Sequence, residues 1–141
     1  MHSFSFATKS KKKILILSSN GGHTHNAAAN TLKALLEKEY DIEIIYPIEE
    51  LTFLGIQTKE NIYNQILQAG WIKTMNLIVE YIAPRMFKTQ EKQIEAILAD
   101  HIQDKRPDLV ISLIPFINYP ATEAARKHNI PFLLVTVDND L

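Results

Sequence analysis

Apolar residues along the chain fall into short continuous runs separated by stretches of helical spacing. Ile14-Leu15-Ile16-Leu17 is an unbroken aliphatic run closed by Ser18-Ser19-Asn20-Gly21-Gly22. A short apolar run ended by turn residues predicts a strand buried on both faces. From Thr24 to Glu39, Ala28, Leu32, Leu35 and Leu36 recur at helical spacing and no proline interrupts them, which predicts an amphipathic helix. Asp41 to Tyr46, carrying Ile42, Ile44 and Ile45, predicts a second strand stopped by Pro47. A strand, a glycine turn, a helix and a strand in this order form a βαβ unit, which requires parallel strands and a right-handed crossover.

A second unit closes the chain. Asp108 to Leu113 reads as a strand with Pro107 at its start, Pro120 to His128 as a short helix on Ala121, Ala124 and Ala125, and Pro131 to Val137 as another buried strand. Two helical stretches, 59–82 and 86–105, lie between the units and are divided at Pro84, because proline breaks the helical ladder. In the second of them Ile94, Ile97, Leu98 and Ile102 form one core-facing stripe. The expected fold is therefore α/β, a Rossmann-like parallel sheet with flanking helices. Only Asp138 to Leu141 follow the last strand, leaving nothing to cover one side of it. The expectation is a truncated piece of a longer protein, with a complete small domain as the alternative.

Composition narrows the function classes. The 141 residues suffice for one domain with a real core; residues 1–12 are expected to be a flexible basic leader and 13–141 the domain. A net charge of −1 gives no reason to expect nucleic acid as a partner. The absence of cysteine excludes disulfides and thiolate chemistry and is compatible with a cytoplasmic location. No apolar run approaches the ~20 residues needed to span a bilayer. The apolar stretch beside Lys9, Lys11, Lys12 and Lys13 has four residues, too few for a signal-peptide core. A soluble or membrane-peripheral protein is expected.

The chemistry concentrates in Ser19-Asn20-Gly21-Gly22-His23-Thr24-His25. Glycines between the first strand and the first helix let the backbone approach a ligand closely, and Asn20 tolerates left-handed conformations. The free N–H groups of the helix start face whatever binds beyond the strand ends and favour negative charge there. The loop lacks the third glycine of a dinucleotide fingerprint and the Gly-Lys-Ser/Thr ending of a phosphate loop. It carries His23 instead. The positive helix end disfavours an imidazolium, which leaves a neutral ring able to take a proton from a hydroxyl; alternatively His23 only caps the helix or bonds a turn. His23 and His25 also form an H-x-H pair, but residues two apart at a helix start point in different directions and no carboxylate neighbours them. No metal is expected, and His25 is expected to face solvent.

The loop Gly21-Gly22-His23 before an alanine-rich helix with Ala27 and Ala29, the segment Pro107-Asp108-Leu109-Val110-Ile111-Ser112 with Pro115, and the closing Pro131-Phe132 to Val135-Thr136-Val137-Asp138 resemble one family. These features look like the monogalactosyldiacylglycerol synthases and processive diacylglycerol glucosyltransferases, over about residues 13 to 138. The resemblance implies the amino-terminal, acceptor-side half of a GT-B glycosyltransferase. In family terms a hexose passes from a UDP-sugar to diacylglycerol with inversion, and His23 is the base. Asn20, Gly21, Gly22, Trp71, Pro115 and Asp138 would surround the acceptor, beside a membrane surface. No cofactor is implied, and the UDP-sugar is a substrate held by a carboxy-terminal domain absent from these residues. Asn20 stands where many members have a third glycine, and Val137 replaces the usual threonine before Asp138. A reading from another class is a catalytically silent α/β module that binds a lipid headgroup, a nucleotide or a partner protein. The apolar stretch around Trp71, with Tyr81, Arg85, Phe87 and Lys88 nearby, suits either an interfacial helix or one buried against the sheet or a partner domain. The lysine run is either a membrane attractor or the solvated start of a strand; Asp104-Lys105-Arg106 and Glu49-Glu50 are expected to be solvated surface.

Overall fold

The computed structural model describes residues 10–20, 23–53, 56–57 and 83–137, with 52–53, 56–57 and 83–88 described as backbone only. In chain order the elements are β1 (Lys13–Leu17), α1 (His23–Leu36), β2 (Asp41–Ile45), β3 (Thr52–Phe53), β4 (Ile56–Gln57), α2 (Ala83–Lys105), β5 (Leu109–Ser112), a 3-10 turn (Pro115–Ile117), α3 (Asn118–Lys127) and β6 (Phe132–Leu134). Strands β2, β1, β5 and β6 lie side by side in that order, and every pairing among them is parallel. The fold is thus α/β and Rossmann-like. Strands β3 and β4 form a separate antiparallel hairpin; two-residue strands carry no periodicity for a sequence reading to detect.

Strand β1 is central, and its sequence follows from that position. Leu15, Leu17 and the paired Val110 point to the face covered by Ile94, Leu98 and Ile102 of α2 and Ala121, Ala124 and Ala125 of α3. Ile14, Ile16, Ile42 and Ile111 point to the other face, under Ala29 of α1. With helices on both sides every position must be apolar, so the run is continuous rather than alternating. The expected stripe on α2 is the one that docks, with Ile97 partly buried beside the other three.

Helix and strand limits differ from the pattern for identifiable reasons. Helix α2 begins at Ala83, with Pro84 inside its first turn, where a missing N–H breaks no helical bond. Helix α1 stops at Leu36, short of the polar residues up to Glu39 that its pattern includes. No glycine ends α2 or α3. Arg106 (φ 48°) and Asn129 (φ 55°) take the left-handed position instead. The Arg106 N–H donates to Ile102 at 2.9 Å, and the N–H groups of Asn129 and Ile130 donate to Arg126 and Ala125 at 3.1 and 2.9 Å, closing both helices on their own carbonyls. Strand β6 is shorter than expected and is not buried: Leu133 and Leu134 are 49% and 39% exposed, because β6 is a sheet edge with only β5 beside it.

Polar contacts join the opposite, amino-terminal ends of the strands. The Asp108 carboxylate accepts from the Lys13 N–H at 2.8 Å and from Lys12 Nζ at 3.1 Å, while the Asp108 N–H donates to the Lys13 carbonyl at 2.8 Å. These contacts hold its carboxyl below the usual carboxylate value, the Lys13 amide contributing most. A depressed pKa contributes stability above the unfolded value that is lost as pH falls through the folded one. In urea denaturation, the midpoint advantage of the native chain over Asp108→Asn is expected to be largest near neutrality and to shrink between about pH 5 and about pH 2. Leu98, 1% exposed between α2 and the sheet, is expected to cost about 2–5 kcal/mol when replaced by alanine, measured by the same unfolding at pH 7.

Candidate functional site

The strand pairing fixes where a ligand can enter. Leu17 pairs with Ser112, and the Leu113 N–H donates to the Leu17 carbonyl at 3.0 Å, so the loops after β1 and β5 leave the sheet side by side. The first leads to α1 on one face and the second to α3 on the other. Neighbouring loops that part to opposite faces make a topological switch point at the carboxyl ends of the strands, the usual ligand position in an open parallel sheet.

His23 opens α1 and is exposed at this edge. Asn20, also exposed, lies in the loop before it, and its backbone N–H donates to Glu49 Oε1 at 2.7 Å. Pro115 is exposed at the first position of the 3-10 turn that follows β5. These three expected residues therefore share one end of the sheet, with His23 and Asn20 from one loop and Pro115 from its neighbour. Gly21, Gly22, Trp71 and Asp138 lie outside the described residues. His25 is half-buried rather than solvent-facing, since two residues turn the helix by about 200° and swing it away from the exposed side of His23.

Several residues at this edge were hidden from the sequence. Glu49 is not solvated surface: it is half-buried and reaches from the segment after β2 to the β1–α1 loop, where Ser19 Oγ also lies 3.5 Å from Oε1. Its neighbour Glu50 faces His101 of α2 at 2.7 Å; one turn further along, and away from this edge, Lys105 meets Glu43 of β2, so Lys105 is not free surface either. The hydrogen bond from Glu43 raises the Lys105 pKa above the ordinary lysine value. Tyr46 donates its hydroxyl to Asn26 Oδ1 at 3.2 Å, and Asn30 Nδ2 lies 3.4 Å from the same oxygen, tying the first turns of α1 to the end of β2. On the β5 side Phe116 and Tyr119 are each 68% exposed. Ser18 Oγ, Glu49 Oε2 and Asn118 Oδ1 are buried and have no hydrogen-bond partner among the described residues.

Of the lysine run, Lys9 lies outside the described residues, and Lys11, Lys12 and Lys13 lie at the amino-terminal ends of the strands. Lys11 donates to the Glu37 carbonyl near the end of α1 at 2.8 Å, Lys12 pairs with Asp108, and Lys13 Nζ lies 3.9 Å from Asp41. An open depression of about 520 Å³ is found there too, lined by Ser10, Lys11, Lys33, Glu37, Tyr40, Asp41 and Ile42. It sits at the amino-terminal ends of β1 and β2, away from the parting loops, and Lys11, one of its two lysines, is held by a helix-end carbonyl. Among the described residues no group of three or more His, Cys, Asp or Glu side chains is placed to hold a metal ion, and no helix is long and apolar enough to cross a membrane.

No protein-family model, curated protein or solved structure matches the chain. The class defined by the structure is a Rossmann-like α/β domain with a histidine exposed at its switch point. Removing the Tyr46 hydroxyl in Tyr46→Phe is expected to lower stability by about 1 kcal/mol and to speed amide exchange in the first two turns of α1, measured by urea unfolding and hydrogen exchange.

Proposed function

We propose that the chain is the acceptor-side half of a glycosyltransferase that passes a hexose from a UDP-sugar to diacylglycerol. The observation that carries this reading is the placement of His23, exposed on the first residue of α1 where the β1 and β5 loops part. A hydroxyl held there meets an imidazole fixed by the helix start. In the transfer, the hydroxyl oxygen forms a bond to the anomeric carbon as that carbon's bond to UDP breaks on the opposite face, which inverts the configuration. The hydroxyl proton passes to His23, and UDP leaves with the bonding electrons. General-base assistance of this kind typically contributes ~10²–10⁴ in rate. The resemblance in the Gly21-Gly22-His23 loop and the Pro107 to Pro115 segment supplies the substrate classes. The UDP-sugar belongs to a separate donor-binding domain, and the protein works at a membrane surface as a peripheral, cytoplasmic enzyme.

The test is hexose transfer by the polypeptide that joins this domain to a donor-binding domain, with UDP-glucose or UDP-galactose and diacylglycerol in mixed micelles. Transfer is expected, and His23→Ala is expected to lower kcat by about 10²–10⁴ with fold and donor binding unchanged. Full turnover by the variant removes His23 from the mechanism. Absence of transfer, with liposome co-sedimentation of the domain alone retained, favours the silent lipid-binding module.

A further inference from the structure

The two edges of the sheet differ in kind. Strand β2 closes one side and carries Asp41, which is exposed, and Glu43, which is held by Lys105. Charged residues on an edge guard it against pairing with a further strand. Strand β6 closes the other side, and from Pro131 to Val137 the chain has no charged residue. Leu133 and Leu134 are 49% and 39% exposed, and as neighbours in a strand they point to opposite faces. Phe132 packs in the core under α2 and α3, and Val135 in the core under α1. Leu134 therefore lies on the α2–α3 face and Leu133 on the α1 face.

Only one side of the β6 backbone is paired. The Pro131 carbonyl accepts from the Val110 N–H at 3.0 Å, and the Val135 N–H donates to the Ser112 carbonyl at 2.9 Å. The residues that face a given neighbour alternate along a strand, so Pro131, Leu133 and Val135 face β5. Phe132, Leu134 and Thr136 turn their backbone groups to the open side, where they have no partner among the described residues. An uncharged apolar strand with a free row of N–H and C=O groups is a template for another strand.

We propose that the strand it takes is its own equivalent in a second copy of this chain, β6 pairing antiparallel with β6 about a two-fold axis at Leu134. In that register Phe132 of each copy exchanges hydrogen bonds with Thr136 of the other, and Leu134 with Leu134, so the outward groups satisfy one another. Leu133 then lies opposite Val135 on the α1 face, and the two Leu134 side chains meet on the α2–α3 face, covering the exposed apolar surface on both sides. Charge selects the antiparallel orientation. The chain enters β6 from the exposed Arg126-Lys127-His128, of which Glu123 and Glu95 balance the first two, and continues past Val137 to Asp138 and Asp140. Antiparallel pairing directs His128 of one copy toward the acidic continuation of the other, whereas parallel pairing would set the acidic ends side by side. The contact is isologous and closes at two copies, because it uses both β6 edges and leaves only the guarded β2 edges. It does not rest on the transferase reading, since His23 takes no part in it.

The experiment is sedimentation of the chain from about 10 to about 500 µM, with amide exchange followed by NMR at both ends of that range. A reversible monomer–dimer equilibrium is expected. The Phe132, Leu134 and Thr136 amides are expected to exchange at least about tenfold more slowly at the upper concentration, and the Leu133 and Val135 amides, already turned to β5, to change less. Leu134→Lys sets a charge against its own copy and is expected to leave a monomer. Thr136→Pro removes an outward donor without touching the β5 ladder and is expected to weaken association about tenfold. A native chain that stays monomeric at the upper concentration overturns the proposal: fast Leu134 exchange then means a bare edge, and slow exchange an edge filled from within the same chain. Assemblies larger than a dimer, or a dimer unchanged in Leu134→Lys, overturn it as well.

Discussion

The parallel pairing of β1 with β5, ending at Leu17 and Ser112, is the constraint on which the rest of the molecule depends. Because β5 follows α2 in the chain yet lies beside β1, the two strands must send their loops to opposite faces, one to α1 and one to α3. Burial of Leu15, Ile16 and Leu17 at 0% exposure makes that pairing expensive to shift, since a slip by one residue would exchange the two faces of β1 between two different helix packings. The parting of the loops is therefore not a local preference of Asn20 or Pro115. It is imposed by the core.

Long-range accounting explains which features were legible in the sequence. The central strands, the stripe on α2 and the alanine face of α3 are encoded by local periodicity, and burial enforces that periodicity at every turn. His23 was legible for a similar reason, because a glycine bend between a strand and a helix can stand only at the carboxyl edge of a parallel sheet. Glu49 and Tyr46 were not legible. Their partners Asn20 and Asn26 are 29 and 20 residues away, and a Glu-Glu pair after a strand looks like ordinary solvated surface until the neighbouring loop is placed. The left-handed helix ends at Arg106 and Asn129 carry no local signal because the usual glycine is absent, and each takes a conformation that costs a non-glycine residue about 1–2 kcal/mol. Strand β6 read as buried because Phe132, Leu133 and Leu134 are apolar, whereas its edge position leaves two of them half in water.

The segment after β2 does more than connect. Within six residues it touches three elements: Tyr46 reaches α1, Glu49 reaches the β1 loop and Glu50 reaches α2 through His101. Leu51 and Ile45 anchor the same stretch in the core under α2. A loop gripped at both ends can hold a carboxylate at a fixed distance from a backbone amide, which an exposed glutamate on a free loop could not do without losing side-chain entropy. The segment after β2 is thus held on one side by packing and on the other by three polar contacts.

The distribution of charge also limits how the domain can meet a lipid surface under the proposed function. Lys11, Lys12 and Lys13 are joined to the end of α1 and to the amino-terminal ends of β5 and β2, at the opposite end of the strands from His23. An orientation that brings His23 to a bilayer therefore turns these lysines away, beyond the ~10 Å over which an exposed charge is felt in salt. Attraction of Lys11, Lys12 and Lys13 to anionic headgroups would then not be what presents the acceptor to His23. What the described edge would offer a membrane under that reading is Phe116 and Tyr119, aromatic bodies exposed to solvent and of the kind that settle at the headgroup level.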